Sequence, residues 1–292
     1  GVILKRIPEG SPLADLAVPP MIVTTLCVVF FPDPRLREER AQLYRRCIDI
    51  MLHEKLRPDE AGPVLAERAG NPAFKRLLLA RLAFEMHLHE KEAVNQEQAA
   101  RWLKDGFKDV EADDDKLAAA KTFLDEVTAR GTLLQERGGL FGFGRQHLTF
   151  REFLAGYHLI LGHRPRDRVT LWPKLAPDDR WREPIRLAAG ATVREATLTC
   201  EDYLQELLDL ANQTTAAPAT RLAGYKLATE ALWDLGPKGR MLLDKGLRQK
   251  IVASLAERLK EPAIAAPQAN LLTERVAAGQ VLGRLGDPRE GG

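Results

Sequence analysis

The chain has 292 residues, 45% of them hydrophobic and 29% charged, a balance that supplies a packed core and excludes wholesale disorder. Its 43 basic and 41 acidic side chains leave a net charge of +2, which gives no long-range electrostatic case for a nucleic acid partner. The length suits roughly two domains of about 150 residues. The three cysteines, Cys27, Cys47 and Cys200, offer neither zinc spacing nor a disulfide framework, so a reducing, cytoplasmic setting is expected.

The chain opens at Gly1 and closes on LGRLGDPREGG, a turn-rich stretch that reads as a connection. A portion of a longer protein is therefore expected. No charged segment followed by an apolar run and a cleavage site marks a signal peptide. In GVILKRIPEGSPLADLAVPP the prolines punctuate, and the pair Pro19-Pro20 leads into MIVTTLCVVFF. The second proline suits the first turn of a helix. That helix is predicted from Pro20 to before Pro32; its apolar run of eleven residues, Met21 to Phe31, is too short for a bilayer, so no membrane partner is expected.

LREERAQLYRRCIDIMLHEKL places Leu43, Tyr44, Cys47, Ile48, Met51 and Leu52 on one helical stripe, with Arg37, Glu38, Glu39, Arg45 and Arg46 opposite. FKRLLLARLAFEMHLHE repeats the helical pattern. Asn95 is a candidate N-cap for QEQAARWLKDGF, with Gln98 three residues on. In EADDDKLAAAKTFLDEVTARG the aspartates crowd the start, where the helix dipole favours negative charge, and Gly131 follows the end.

The period then changes. TLLQE and LFGFG are short, and RGG between them predicts a small hairpin. HLTFREFLAG follows, where Thr149 and Glu152 have the spacing of a capping box ahead of an apolar face of Phe150, Phe153, Leu154, Tyr157 and Ile160. Helices followed by a two-stranded wing have the layout of a winged-helix domain. Beyond Asp167, WREPIRLAAGAT, CEDYLQELLDLANQ, ATRLAGYKLATEALWDLG, LRQKIVASLAERLK and LTERVAAGQVLGRLG are short helical runs with small, Leu-rich faces. Paired helices stacked side by side, HEAT-like, would bury them. The expected fold is mainly α: a helical domain over residues 1–72, a winged-helix domain with a small β-hairpin over 73–165, and HEAT-like helical repeats over 166–292 that end in a linker.

No residue pattern carries chemistry unaided. The phosphate-cradling G-x-x-x-x-G-K-[ST], H-E-x-x-H and G-x-S-x-G are absent. His87 and His89 are two residues apart on a helix and so point to different faces, which argues against a shared metal. Trp172, Trp181 and Trp233 read as packing anchors between helices.

Five separated stretches, PPMIVTTLCVVFF, LREERAQLYRRCIDIML, KRLLLARLAFEMHLHEK, AARWLKDGF and RGTLLQERGGLFGFGRQHLTFREFLAGYHL, together resemble the C-terminal half of a NACHT module. Such modules belong to the STAND class of signalling NTPases, which includes NOD-like receptors and bacterial defence proteins. The resemblance covers about residues 10–190. HLTFREFLAG is close to the form H-x-[ST]-F-Q-E-[FY]-x-A, with Arg151 where glutamine is usual. The trailing LGRLGDPR is similar to the connection before sulfatase-modifying-factor-like modules.

The resemblance implies ATP/ADP as the nucleotide, bound mainly by an NTPase core upstream in the same chain. It implies effector or sensor modules and homo-oligomerisation on activation. At two positions it implies nucleotide contacts: Pro20 beside the adenine, and His147 toward the β-phosphate of bound ADP in a closed state. From the residues alone, Pro20 is also a plain first-turn proline, and His147 is also a wing-edge side chain bonded to a nearby carbonyl. A helical scaffold without nucleotide control and a winged-helix DNA-binding regulator are the competing functions. The acidic start of EADDDKLAAAKTFLDEV disfavours the second.

Overall fold

The computed structural model describes residues 40–53, 71–129, 133–144, 148–212, 218–261 and 269–286. They are mainly helical, with one small antiparallel sheet. They fall into two compact units, one of residues 42–158 and one of residues 40–41 with 159–286. The helix predicted over 20–31, Pro20 within it, and His147 lie outside the described residues.

The described part of the first unit begins within helix α1 (Arg40–His53). The predicted stripe of α1 is its core face: Leu43, Tyr44, Cys47, Ile48, Met51 and Leu52 are all buried. Helix α2 (Pro72–Leu88) starts after Asn71. Asn71 caps it, its Oδ1 accepting from the amides of Ala73 at 2.9 Å and Phe74 at 3.4 Å, and Pro72 occupies the first turn, where a missing N–H costs nothing. Leu78, Leu79, Leu82, Ala83 and Met86 are almost wholly buried, and so are Lys75 and Arg76. Arg76 donates to Asp49 and lies 5.3 Å from the Tyr157 ring centre.

Strand β1 (Val94–Asn95) precedes helix α3 (Gln96–Leu103). Asn95 caps α3 as its position predicts, accepting from the Gln98 amide at 2.8 Å. Helix α4 (Asp113–Ala129) carries Asp113, Asp114 and Asp115 in its first turn. The hairpin of β2 (Leu134–Arg137) and β3 (Leu140–Phe143) follows. Gly138 and Gly139 turn it with φ of 61° and 79°, the paired left-handed residues of the turn that matches strand twist. The sheet order is β1-β3-β2, antiparallel throughout, with Val94 opposite Phe141 and Leu134 opposite Phe143. β1 is an element the sequence pattern does not announce, since two residues next to a helix cap show no alternation.

The first unit ends within helix α5 (Leu148–Leu161). The helix begins one residue before Thr149, so Thr149 lies inside the first turn and not at the cap, a correction to the capping box expected with Glu152. An amide in the first turn needs no helical partner, so a threonine is tolerated there without capping. Phe150, Phe153, Leu154 and Tyr157 are buried. Tyr44 of α1 meets Phe150 and Phe153 edge-on, at centroid distances of 5.9 and 6.1 Å.

The second unit holds no strand among its described residues. Its helices are α6 (Pro165–Leu175), α7 (Arg182–Thr192), α8 (Thr197–Asn212), α9 (Pro218–Asp234), α10 (Gly236–Leu242), α11 (Lys245–Arg258) and α12 (Ala269–Leu285). Helix α9 is the centre, packed against α7, α8, α11 and α12. The predicted anchors Trp172 and Trp181 are each 1% exposed, and Trp233 carries the Arg240 guanidinium over its ring at 5.0 Å.

Two polar clusters organise this unit. Arg168, 1% exposed, donates to both Glu206 carboxylate oxygens and to the carbonyls of Ile160 and His163. Glu206 also accepts from the Trp172 indole at 3.3 Å. Arg182 and Arg186 of α7, with Arg40, pair with Glu183, Glu230 and Asp234. Burial pushes the Asp234 carboxyl above the ordinary range, against the pull of Arg186 and Arg40.

Candidate functional site

The site the sequence singles out lies where the wing hands the chain to α5. Position 147 falls between Gly144, the last described residue of the hairpin, and Leu148, the first of α5. Both flanks are held. The Gly144 amide donates to the Leu133 carbonyl at 3.4 Å, which closes the hairpin. The first turn of α5 is fixed by Phe150 and Phe153 under Tyr44. Sequence thus builds a firm support on each side of the position, and the support is apolar, so it does not compete for a polar ligand.

Away from that apolar face, the start of α5 presents Leu148, 44% exposed, and the half-buried Arg151 and Glu152. The Arg151 Nε is buried without a hydrogen-bond partner. Burial holds its guanidinium below the usual arginine range, while Glu152 and Glu92 pull the other way. The segment before β1 runs close by: a Cβ on Gly142 would stand 2.7 Å from the Glu92 carbonyl oxygen. Sequence reading finds Arg151 only as a departure from a motif. Its half-burial comes from tertiary packing.

A second surface lies between α3, α4 and the β2–β3 hairpin. It is acidic here. Asp114, Asp115 and Asp125 are exposed on α4, beside Ala118 and Thr122. Lys121 is taken up by Glu97 at 2.6 Å, and Asp125 accepts from Gln96 at 2.6 Å. Glu136 accepts the turn amide of Gly139 at 2.5 Å. An acidic face repels phosphates.

Among the described residues no group of three or more His, Cys, Asp or Glu is placed to hold a metal ion. His87 is buried, whereas His89 is exposed, stacks on Trp102 at 5.5 Å and approaches Glu85 at 3.6 Å; the two do not converge. Burial pushes the thiols of Cys47 and Cys200 up to about 12, so neither is a nucleophile near neutral pH. Among the described residues no helix is long and apolar enough to cross a membrane.

Residues 40–159, from the start of α1 almost to the end of α5, match the family described as the winged helix-turn-helix domain C-terminal to NACHT. No curated protein and no solved structure matches the chain at a significant level.

Proposed function

Since residues 40–159 form a winged helix-turn-helix region of the kind C-terminal to NACHT, we propose that this chain is the regulatory part of a NACHT/STAND NTPase signalling switch of the bacterial defence type. An NTPase core upstream in the same chain binds ADP or ATP. The helical and winged-helix region holds the ADP-bound, closed state. Effector or sensor modules and self-association on activation complete the switch, in the cytoplasm.

The observation that carries this reading is the family match over a winged helix whose helix α4 opens on three aspartates. Acidity argues against duplex DNA and leaves the domain free for a contact within its own protein. In the proposed mechanism the His147 imidazole donates a hydrogen bond to the β-phosphate of ADP, stronger when the ring is protonated. Exchange for ATP repositions that contact and biases the closed arrangement toward an open one. Pro20 packs beside the adenine.

The second unit serves in this reading as a HEAT-like scaffold of paired helices for another protein. The described residues of this unit are helical throughout, and the consecutive helices α8 and α9 pack against each other, which supports that part.

The test uses the full-length protein with its native upstream segment. Wild type should retain ADP through purification, and His147→Ala should lose it or signal constitutively. A wild-type protein that binds neither ADP nor ATP would sink the proposal.

A further inference from the structure

Two charged side chains on α9, Lys226 and Glu230, are only 5% and 3% exposed. Burying a charge is costly unless other groups answer it. Glu230 is answered by Arg182, with Nε to Oε2 at 3.1 Å and Nη2 to Oε1 at 2.5 Å. Lys226 and Glu230 share one face of α9 with Ala223 and Leu227, and this face is one wall of a half-enclosed cavity of about 220 Å³. The other wall is the segment from Ala176 to Asp179, with Arg182 at the start of α7.

Both walls are fixed by the protein's own bonds. Asp178 accepts the Arg180 amide at 3.0 Å, and Trp181, next in the chain, is buried. The Arg182–Glu230 pair ties one wall to the other. The cavity is smaller than the roughly 300 to 1,000 Å³ that takes a drug-sized ligand, so it suits a molecule the size of one amino acid.

The charges on its lining differ in depth. Asp178 is taken by the Arg180 guanidinium, at 3.0 and 2.6 Å, and Glu230 by Arg182. Lys226 sets a positive charge on the buried wall, and an ammonium with three N–H donors can serve a ligand as well as a partner within the protein. Asp179 sets a negative charge at the exposed end, and among the described residues nothing bonds its carboxylate. Ala176, Ala223 and Leu227 make up apolar lining. A simple anion would meet Asp179 unfavourably, and a simple cation Lys226. A molecule with both charges and a short aliphatic stem meets each with its opposite.

We propose that this cavity binds a free α-amino acid with a small aliphatic side chain, its carboxylate toward Lys226, its ammonium toward Asp179 and its side chain on Ala223 and Leu227. The bound molecule ties the 176–179 segment to α9, the helix against which α7, α8, α11 and α12 pack. Occupancy of the cavity does not depend on a bound nucleotide.

The experiment titrates the full-length protein with L-alanine, L-valine and L-leucine by calorimetry, and then with the amine and the carboxylic acid that correspond to the tightest of them. At least one amino acid should bind and raise the melting temperature, and each analogue lacking one charge should bind at least about ten-fold more weakly. Asp179→Asn should weaken binding about ten-fold, the effect of one exposed charge-assisted contact, with the melting temperature of the unliganded protein unchanged. Ala223→Leu, which fills the cavity from the α9 wall, should abolish binding while circular dichroism stays that of wild type. No heat and no rise in melting temperature with any of the three up to about 10 mM overturns the proposal. Equal affinity for the amine or for the carboxylic acid overturns the zwitterion and with it the proposal. Wild-type affinity in Asp179→Asn also overturns it, whether or not Ala223→Leu folds, because Asp179 is exposed and its replacement leaves the core untouched.

Discussion

Arg168 and Glu206 meet through two parallel hydrogen bonds, Nε to Oε2 at 2.9 Å and Nη2 to Oε1 at 2.6 Å. The arginine is 1% exposed at its side chain and the glutamate 11%. The same guanidinium caps the carbonyls of Ile160 and His163 and faces the Tyr203 ring at 5.9 Å. One side chain therefore fixes the end of α5 and the start of α6 to α8.

Removing either charge strands the other. Arg168→Ala and Glu206→Ala should each destabilise the second unit by about 3 to 5 kcal/mol. Replacing both by Met and Leu should recover much of that loss, because no lone charge remains. Urea unfolding followed by circular dichroism checks this, and single variants with unchanged midpoints would show the pair to be dispensable.

Gly142 has no room for a side chain, since a Cβ would stand 2.7 Å from the Glu92 carbonyl oxygen and 3.3 Å from the Ala93 Cβ. Gly142→Ala should displace the lead-in to β1 and cost about 1 to 3 kcal/mol. Amide exchange at Val94 and Asn95 should rise first. Protection equal to wild type would place the strain elsewhere.

Cys47 and Cys200 should resist alkylation in the folded protein at pH 8 and react on unfolding, because burial pushes both thiols from 9.0 to about 12. The native state keeps these protons when the unfolded state has released them. Stability is thus unaffected by them below pH 9 and falls as pH rises from 9 toward 12. Tyr203, pushed well above its ordinary value by full burial, acts in the same direction. A Cys47→Ala, Cys200→Ala variant should show a shallower alkaline decline, and an identical slope would count against the thiols.

Duplex DNA should not shift with this protein in a gel at physiological salt, given the acidic side chains of α4 and the capture of Lys121 by Glu97. Asp114→Lys, Asp115→Lys and Asp125→Lys together should create weak, salt-sensitive binding. A tight wild-type complex would restore the DNA-binding reading.

Much of this architecture is legible in the residues. The α1 stripe repeats with helical period, so its core face follows from Leu43, Tyr44, Cys47 and Ile48 without coordinates. Two adjacent glycines at 138 and 139 announce the hairpin, and Asn95 announces α3. Other features depend on partners far along the chain. Arg168 reads as a solvated charge in PRDRVT, and only folding brings Glu206, 38 positions later, against it. β1 is too short to show alternation. The start of α5 differs from the capping pattern because T-x-x-E spacing does not fix which residue enters the helix first. At the candidate site, His147 and Pro20 are legible through a resemblance, whereas the burial of Arg151 is a property of packing around α5 and is invisible in HLTFREFLAG.

The central position of α9 has a consequence for how the second unit comes apart. In a simple linear array each segment leans only on its immediate neighbours, and the ends peel away first. Here α7, α8, α11 and α12 all rest on one helix. Loosening α9 removes the floor beneath four others at once, so heat should melt this half of the described chain in a single sharp step, without a gradual unzipping from its last helix.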